Sequence, residues 1–229
     1  MFIYILFSLP ALLLAIIAQI WVKHAYNKAS NIGSYSAMTG ADVAKAILRQ
    51  NGITDVKVEV TEGWLSDHYH PLEKALRLSP ENYHGKSLAA IGVAAHEAGH
   101  ALQHNQSYLP LYLRSALVPV TSFGSNFAYI IFIIGLILVN FVFIGKVLML
   151  AGIVLFTLAF LFTLITLPVE FDASNRAIAI LRQAGFLSEQ ELVPVKKVLT
   201  AAALTYLAAA AQALSLLLWA VTEYNRNDD

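Results

Sequence analysis

AYIIFIIGLILVNFVFIGKVLMLAGIVLFTLAFLFTLITLPVE, residues Ala128 to Glu170, carries a single charge, Lys146, before its terminal glutamate. Two apolar runs lie inside it, Ala128–Ile144 and Val147–Val169, separated only by Gly145-Lys146. A helix of roughly 20 apolar residues crosses a bilayer core, so the pair reads as a membrane hairpin. Phe2–Trp21 is an uncharged apolar run of similar length. No basic stretch precedes it and no small-x-small cleavage pattern follows, so it reads as a span rather than a signal peptide. Leu199–Val221 is a fourth run, rich in the alanines that let membrane helices pack closely. Any one of these could be a buried soluble helix. Four in one short chain read as a polytopic membrane protein.

Composition agrees with this. The 229 residues are 58% hydrophobic and 13% charged, with a mean hydropathy of +0.62. The formal net charge is zero, so no basic surface points to nucleic acid. Cysteine is absent. That removes disulfides and thiolate metal ligands together, and any metal must rely on histidine and carboxylate. The chain divides into a first span at 1–21 and a polar region at 22–126. The hairpin at 127–169 and a second polar island at 170–198 follow, then a span at 199–221 and a tail at 222–229.

In the polar region, the apolar spacing of Asp42–Gln50 predicts a short helix closed by Asn51-Gly52. Val56–Val60 alternates apolar and polar, the period of a strand. Trp64–His70 and Ala75–Leu78, joined around Pro71, fit a hairpin beside it. Ser87 is placed to cap a helix running to about His104. In the second island Pro168 marks a break at the end of the third span, Gly185 a helix C-terminus, and Ser188-Glu-Gln-Glu191 a capping box opening a short helix.

The helix after Ser87 holds His96-Glu97-Ala98-Gly99-His100. Four residues is slightly more than one turn, so both imidazoles project from one face, with Glu97 flanking it. Two histidines and a glutamate in this order suit a catalytic zinc: the histidines bind metal and Glu97 serves as general base. The competing reading is two helical histidines with no metal. Catalytic zinc takes three protein ligands, so a third is needed. A histidine ten residues past His96 with glycine at 103 would make a metzincin, but positions 103 and 106 are glutamines. From Ala98 to Val169 the chain has no Asp or Glu; the first is Glu170. Two spans separate it from the motif, so Glu170 emerges on the same side of the membrane as His96 and His100. Its alternative role is an interfacial charge near a helix terminus.

The HEAGH helix followed by a helical hairpin and Glu170-Phe-Asp-Ala-Ser-Asn-Arg-Ala177 resembles the membrane gluzincins of the HtpX and CAAX-prenyl-protease kind. The stretch from Leu76-Arg-Leu-Ser-Pro80 through HEAGHALQH to Glu170-Phe171 more closely resembles the YugP-type membrane zinc metallopeptidases, over nearly the whole chain. In the HtpX-like pattern the glutamate is followed by Ala, Asp and Ala at three, four and seven residues on. Here Ala173 and Ala177 are kept and Ser174 stands at the Asp position. Ser174, Asp172, Asn175 and Arg176 are thus the candidates for the shell around the ligands, and Ser174 shares the Glu170 face. The resemblance also implies that an edge strand, here within Trp64–Leu78, pairs with substrate backbone; a plain structural hairpin is the alternative.

His104, one turn past His100, reads as solvated or supporting rather than ligating. His68 and His70 read as hairpin residues. Tyr83, His84, Asn175 and Arg176 are all candidate oxyanion donors, and Arg176 equally suits a membrane-proximal anchor.

The expected fold is a mainly α membrane protein: four transmembrane helices with a small α+β zincin-like catalytic domain at the membrane surface. The expected activity is zinc-dependent endopeptidase, with one Zn2+ per chain held by His96, His100 and Glu170. Its substrates would be membrane-associated or misfolded polypeptides. The alternatives are a silent zinc-binding membrane adaptor or a site-2-type intramembrane protease. For the latter, Ser87–Ala95 is too short to span before the motif. Composition leaves room for a homo-oligomer or a membrane-protein partner besides the lipid bilayer. The chain is expected in the plasma membrane of a prokaryote. Of its fifteen Lys and Arg, only Lys146 and Arg226 fall opposite the catalytic side, so that side is expected to be cytoplasmic.

Overall fold

The computed structural model describes residues 2–63 and 66–227. Met1, Asp228, Asp229 and the Trp64-Leu65 start of the first hairpin arm lie outside them. The order is α1 (Phe2–Ser30), α2 (Gly40–Gln50), β1 (Lys57–Val60), β2 (His68–His70), β3 (Ala75–Leu78), α3 (Pro80–His84), α4 (Leu88–Asn105), α5 (Leu109–Leu138), α6 (Ile144–Gln183) and α7 (Glu189–Arg226). The protein is mainly helical with one small sheet. It falls into two compact units, one of Met1–Ala18, Leu113–Leu167 and Thr205–Asp229, the other of Gln19–Tyr112 and Pro168–Leu204.

In the second unit, β3 is the central strand. It pairs in parallel with β1, Lys57 opposite Ala75 through Val60 opposite Leu78, and antiparallel with β2. β1 and β2 are therefore both edges. Ala75, Leu76 and Leu78 are buried, while Arg77 faces Glu59 across the ladder at 3.4 Å. Helix α2 starts at a capping box: Thr39 Oγ1 accepts from the Asp42 amide at 3.1 Å, and the Asp42 carboxylate accepts from the Thr39 amide at 3.1 Å. Its Val43, Ala44, Ile47 and Leu48 are buried at helical spacing.

Helix α4 starts at Ser87, whose Oγ accepts from the Ala90 amide at 3.2 Å, and its small residues let neighbours come close. A Cβ on Gly92 would lie 2.8 Å from Val195 Cγ1 of α7. One hydrophobic core joins α2, β3, α4 and the unit's parts of α1, α6 and α7.

In the first unit, Phe132, Met149, Phe156 and Trp219 form a buried cluster. Outside it, Leu6 is 59%, Ile137 62% and Phe143 81% exposed. Large apolar groups exposed in this number suit lipid rather than water. Among the described residues, three helical segments are long and apolar enough to cross a membrane: Tyr4–Ser30, Ile144–Gln183 and Glu189–Arg226. The apolar segment Phe127–Leu138 of α5 is shorter.

Three local expectations need correction. The hairpin turn is not at Gly145-Lys146 but at residues 139–143, and α6 starts at Ile144. Gly145 serves a close approach instead, since a Cβ there would lie 2.4 Å from the Val139 nitrogen. Pro168 does not end a helix; α6 runs unbroken through it for 40 residues. Proline removes one helical hydrogen bond at about 3 kcal/mol, and here Val169, Ala173, Ala177 and Leu181 just beyond it are fully buried. Tertiary packing outweighs the local break. Likewise the helix opened by Ser188 is not short, because α7 runs from Glu189 to Arg226 through Pro194.

Candidate metal centre

Helices α4 and α6 meet where α4 carries no side chain. A Cβ on Gly99 would lie 2.7 Å from the Ala173 carbonyl oxygen, and Ala95, Ala98, Ala173 and Ala177 are all buried. Larger residues would hold the backbones apart. At this separation the Glu170 carboxylate reaches both motif histidines. Its Oε2 lies 3.3 Å from His96 Nε2 and 3.6 Å from His100 Nε2. The two imidazoles sit edge to face with centroids 4.8 Å apart.

One ligand atom from each of His96, His100 and Glu170 lies within 4.8 Å of the others. Among the described residues this is the one such cluster of three or more histidines and carboxylates. All three side chains come from the second unit. Glu170 is 2% exposed, His100 7% and Glu97 8%.

A ring of hydrogen bonds surrounds the three. Ser174 Oγ lies 3.2 Å from His96 Nδ1. His100 Nδ1 lies 2.9 Å from Gln103 Oε1. Gln103 Nε2 donates to the Val169 carbonyl and to Asp172 Oδ2, each at 2.8 Å. Arg176 Nε donates to the same Asp172 oxygen, Arg176 Nη1 donates to Gln106 Oε1, and the guanidinium lies 5.8 Å from the Tyr108 ring centroid. Ser174 therefore stands beside a motif histidine, as its face suggested. Asp172 reaches His100 only through Gln103, and Arg176 is turned inward against Asp172 rather than outward as an anchor. Asn175 is exposed.

Gln103 is the residue that sequence reading passed over. Its one visible signal is position: it follows His100 by three residues and so shares its helix face.

The pocket favours positive charge. Burial pushes the His100 pKa down, but its hydrogen bond to Glu170 and the charges of Glu97 and Glu170 outweigh this, and it is raised. A divalent cation would meet the same field. Both histidines present Nε2 toward Glu170 while Nδ1 is engaged elsewhere. Two nitrogens and one carboxylate oxygen, two of the three side chains buried and His96 half-buried, with a second carboxylate nearby, are the donor set of a three-ligand zinc site with its fourth position open. The residues fit zinc.

His68, His70, His84 and His104 are engaged elsewhere. His104 Nδ1 lies 2.7 Å from the Tyr69 hydroxyl, whose pKa burial pushes up to about 12. His68 Nδ1 meets the Ser66 carbonyl at 2.7 Å, and His70 Nδ1 accepts from the Glu73 amide at 3.2 Å. Tyr83 packs between His84 and Lys45.

Comparison with known proteins gives two similarities. Residues 4–224 match the family described as "Putative neutral zinc metallopeptidase". The chain is also 46% identical over 215 residues to "Putative membrane protease YugP" of Bacillus subtilis (strain 168), covering 94% of this chain and 93% of that protein. No solved structure matches it.

Proposed function

This chain belongs to the neutral zinc metallopeptidase family, and on that premise we propose that it is a gluzincin-type membrane endopeptidase acting on membrane-associated or misfolded polypeptides. One observation carries this reading: His96, His100 and Glu170 converge within 4.8 Å, with the buried carboxylate of Glu97 on the same helix. His96, His100 and Glu170 would hold one zinc. When bound, zinc supplies Lewis acidity that acidifies water and polarises a carbonyl.

Glu97 is the general base. Its carboxylate takes a proton from the attacking water and passes it to the leaving amine as the peptide C–N bond breaks. Glu170 adds negative charge to the ligand set, and the bonds to Ser174 and Gln103 hold the imidazoles in place. Burial of Glu170 and His100 keeps competing water from the ligand atoms.

The membrane part has four spans in this reading, α5 contributing one alongside α1, α6 and α7. The sequence parity of two spans between His100 and Glu170 supports it, because it brings both to one side. The positive-inside bias assigns that side to the cytoplasm of a prokaryotic cell.

The test is metal analysis of the purified full-length chain in detergent, with cleavage of a casein-type substrate with and without chelator. One zinc per chain and chelator-sensitive cleavage are expected. Zinc without cleavage of any offered substrate would favour the adaptor, and absence of zinc would remove the site itself.

A further inference from the structure

Gln103 is completely buried, yet it is a polar residue with two donors and an acceptor to satisfy. All are satisfied, and the partners leave only one orientation. The Val169 carbonyl can only accept a hydrogen bond, and so can the Asp172 carboxylate, which Arg176 also engages. The amide nitrogen of Gln103 must face those two, since an amide oxygen there would set acceptor against acceptor. Its Oε1 is thereby turned to His100 Nδ1 at 2.9 Å. An amide oxygen cannot donate, so His100 must carry its proton on Nδ1. In the neutral ring that leaves the lone pair on Nε2, the nitrogen 3.6 Å from Glu170.

His96 has no such lock. Its Nδ1 partner is the Ser174 hydroxyl at 3.2 Å, which can rotate to donate or accept. The two histidines of the motif are therefore held by unequal means.

We propose that Gln103 is a positioning residue for the metal centre: anchored by the Val169 carbonyl and by Asp172, it fixes His100 in the tautomer and ring orientation that offer Nε2 to the metal. The assignment rests on the zinc-site reading above and extends it to a residue outside the motif. Partners that orient metal-bound histidines in this way typically alter metal affinity by about 10–100-fold when removed.

The test is zinc affinity of the full chain in detergent, by competition with a chromophoric chelator. Wild type, Gln103→Leu, Ser174→Ala and Asp172→Asn are compared, with the visible spectrum of the cobalt form and the melting temperature of the metal-free form. Gln103→Leu is expected to weaken zinc by about 10–100-fold and to change the cobalt spectrum. Asp172→Asn retains an oxygen that can accept from Gln103 and is expected to weaken zinc less than Gln103→Leu does. Ser174→Ala is expected to lose less affinity than Gln103→Leu.

A Gln103→Leu chain that folds and binds zinc like wild type would overturn the proposal. Where that variant does not fold, 15N spectra of histidine-labelled wild type loaded with zinc decide: metal on Nε2 and a proton on Nδ1 of His100 are expected, and metal on Nδ1 would overturn it. Failure of the wild-type chain to bind zinc would instead count against the zinc-site reading on which the proposal rests.

Discussion

Gly99 and Ala173 touch through backbone alone: the position of a Cβ on Gly99 lies 2.7 Å from the Ala173 carbonyl oxygen and 3.3 Å from its Cα. Neither is a side chain that could rotate away. This contact sets the separation of α4 and α6, and with it the reach of Glu170 to His96 and His100. The glycine inside HEAGH is thus a packing requirement for bringing Glu170 to the two histidines.

Gly99→Ala should push the two helices apart. Overpacking of this kind costs roughly 1–3 kcal/mol, and the displacement falls on the ligand atoms themselves. Zinc content and cleavage should both drop, in a chain whose Leu-rich membrane helices still insert. Full zinc occupancy and full activity in Gly99→Ala would show that the approach can relax without consequence.

Cysteine is absent from the chain, so single-cysteine labelling needs no background removal. A cysteine at Lys146 should react with an impermeant maleimide in intact cells. One at Lys57 should react only after the cells are opened. The reverse pattern would invert the orientation derived from the charge bias, and labelling of both from outside would contradict the span count.

His104 gives a pH signature. Its pKa is lowered, chiefly by burial and then by Lys74, with Asp55 opposing. The unfolded chain, at about 6.5 for histidine, therefore binds the proton more readily than the folded one. Stability should rise with pH between the lowered value and about 6.5, and fall as the solution is acidified through that window. His104→Gln keeps an acceptor for Tyr69 but cannot titrate. Melting temperatures at pH 5.5 and 7.5 should therefore differ less for His104→Gln than for wild type; equal differences would assign the effect to other groups.

Much of this structure is legible in sequence because it is written locally. The apolar runs, the cap at Ser87 and the Ser188 box all depend on neighbours within a few residues. Glu170 was reachable by elimination, since no other carboxylate lies between Ala98 and Val169. The features that escaped depend on distant partners. Pro168 punctuates a sequence, but α6 continues because the residues beyond it are buried against the rest of its unit. The parallel pairing of β1 with β3 is a long-range choice that alternation cannot signal. Gln103 looked like one of several polar residues after the motif, and its role exists only because α6 brings the Val169 carbonyl and Asp172 to it.

The central claim is that Glu97 acts as base and Glu170 as ligand, and zinc content of three variants separates these roles. Glu97→Gln leaves all three ligands, so it should retain zinc while cleavage falls by about 10²–10⁴-fold or more. Glu170→Gln replaces an anionic ligand with a neutral one and should lose zinc and activity together. Asp172→Asn, whose carboxylate meets Gln103 and Arg176 rather than the histidine Nε2 atoms, should keep its metal. Zinc retained by Glu170→Gln and stripped by Asp172→Asn would contradict the account.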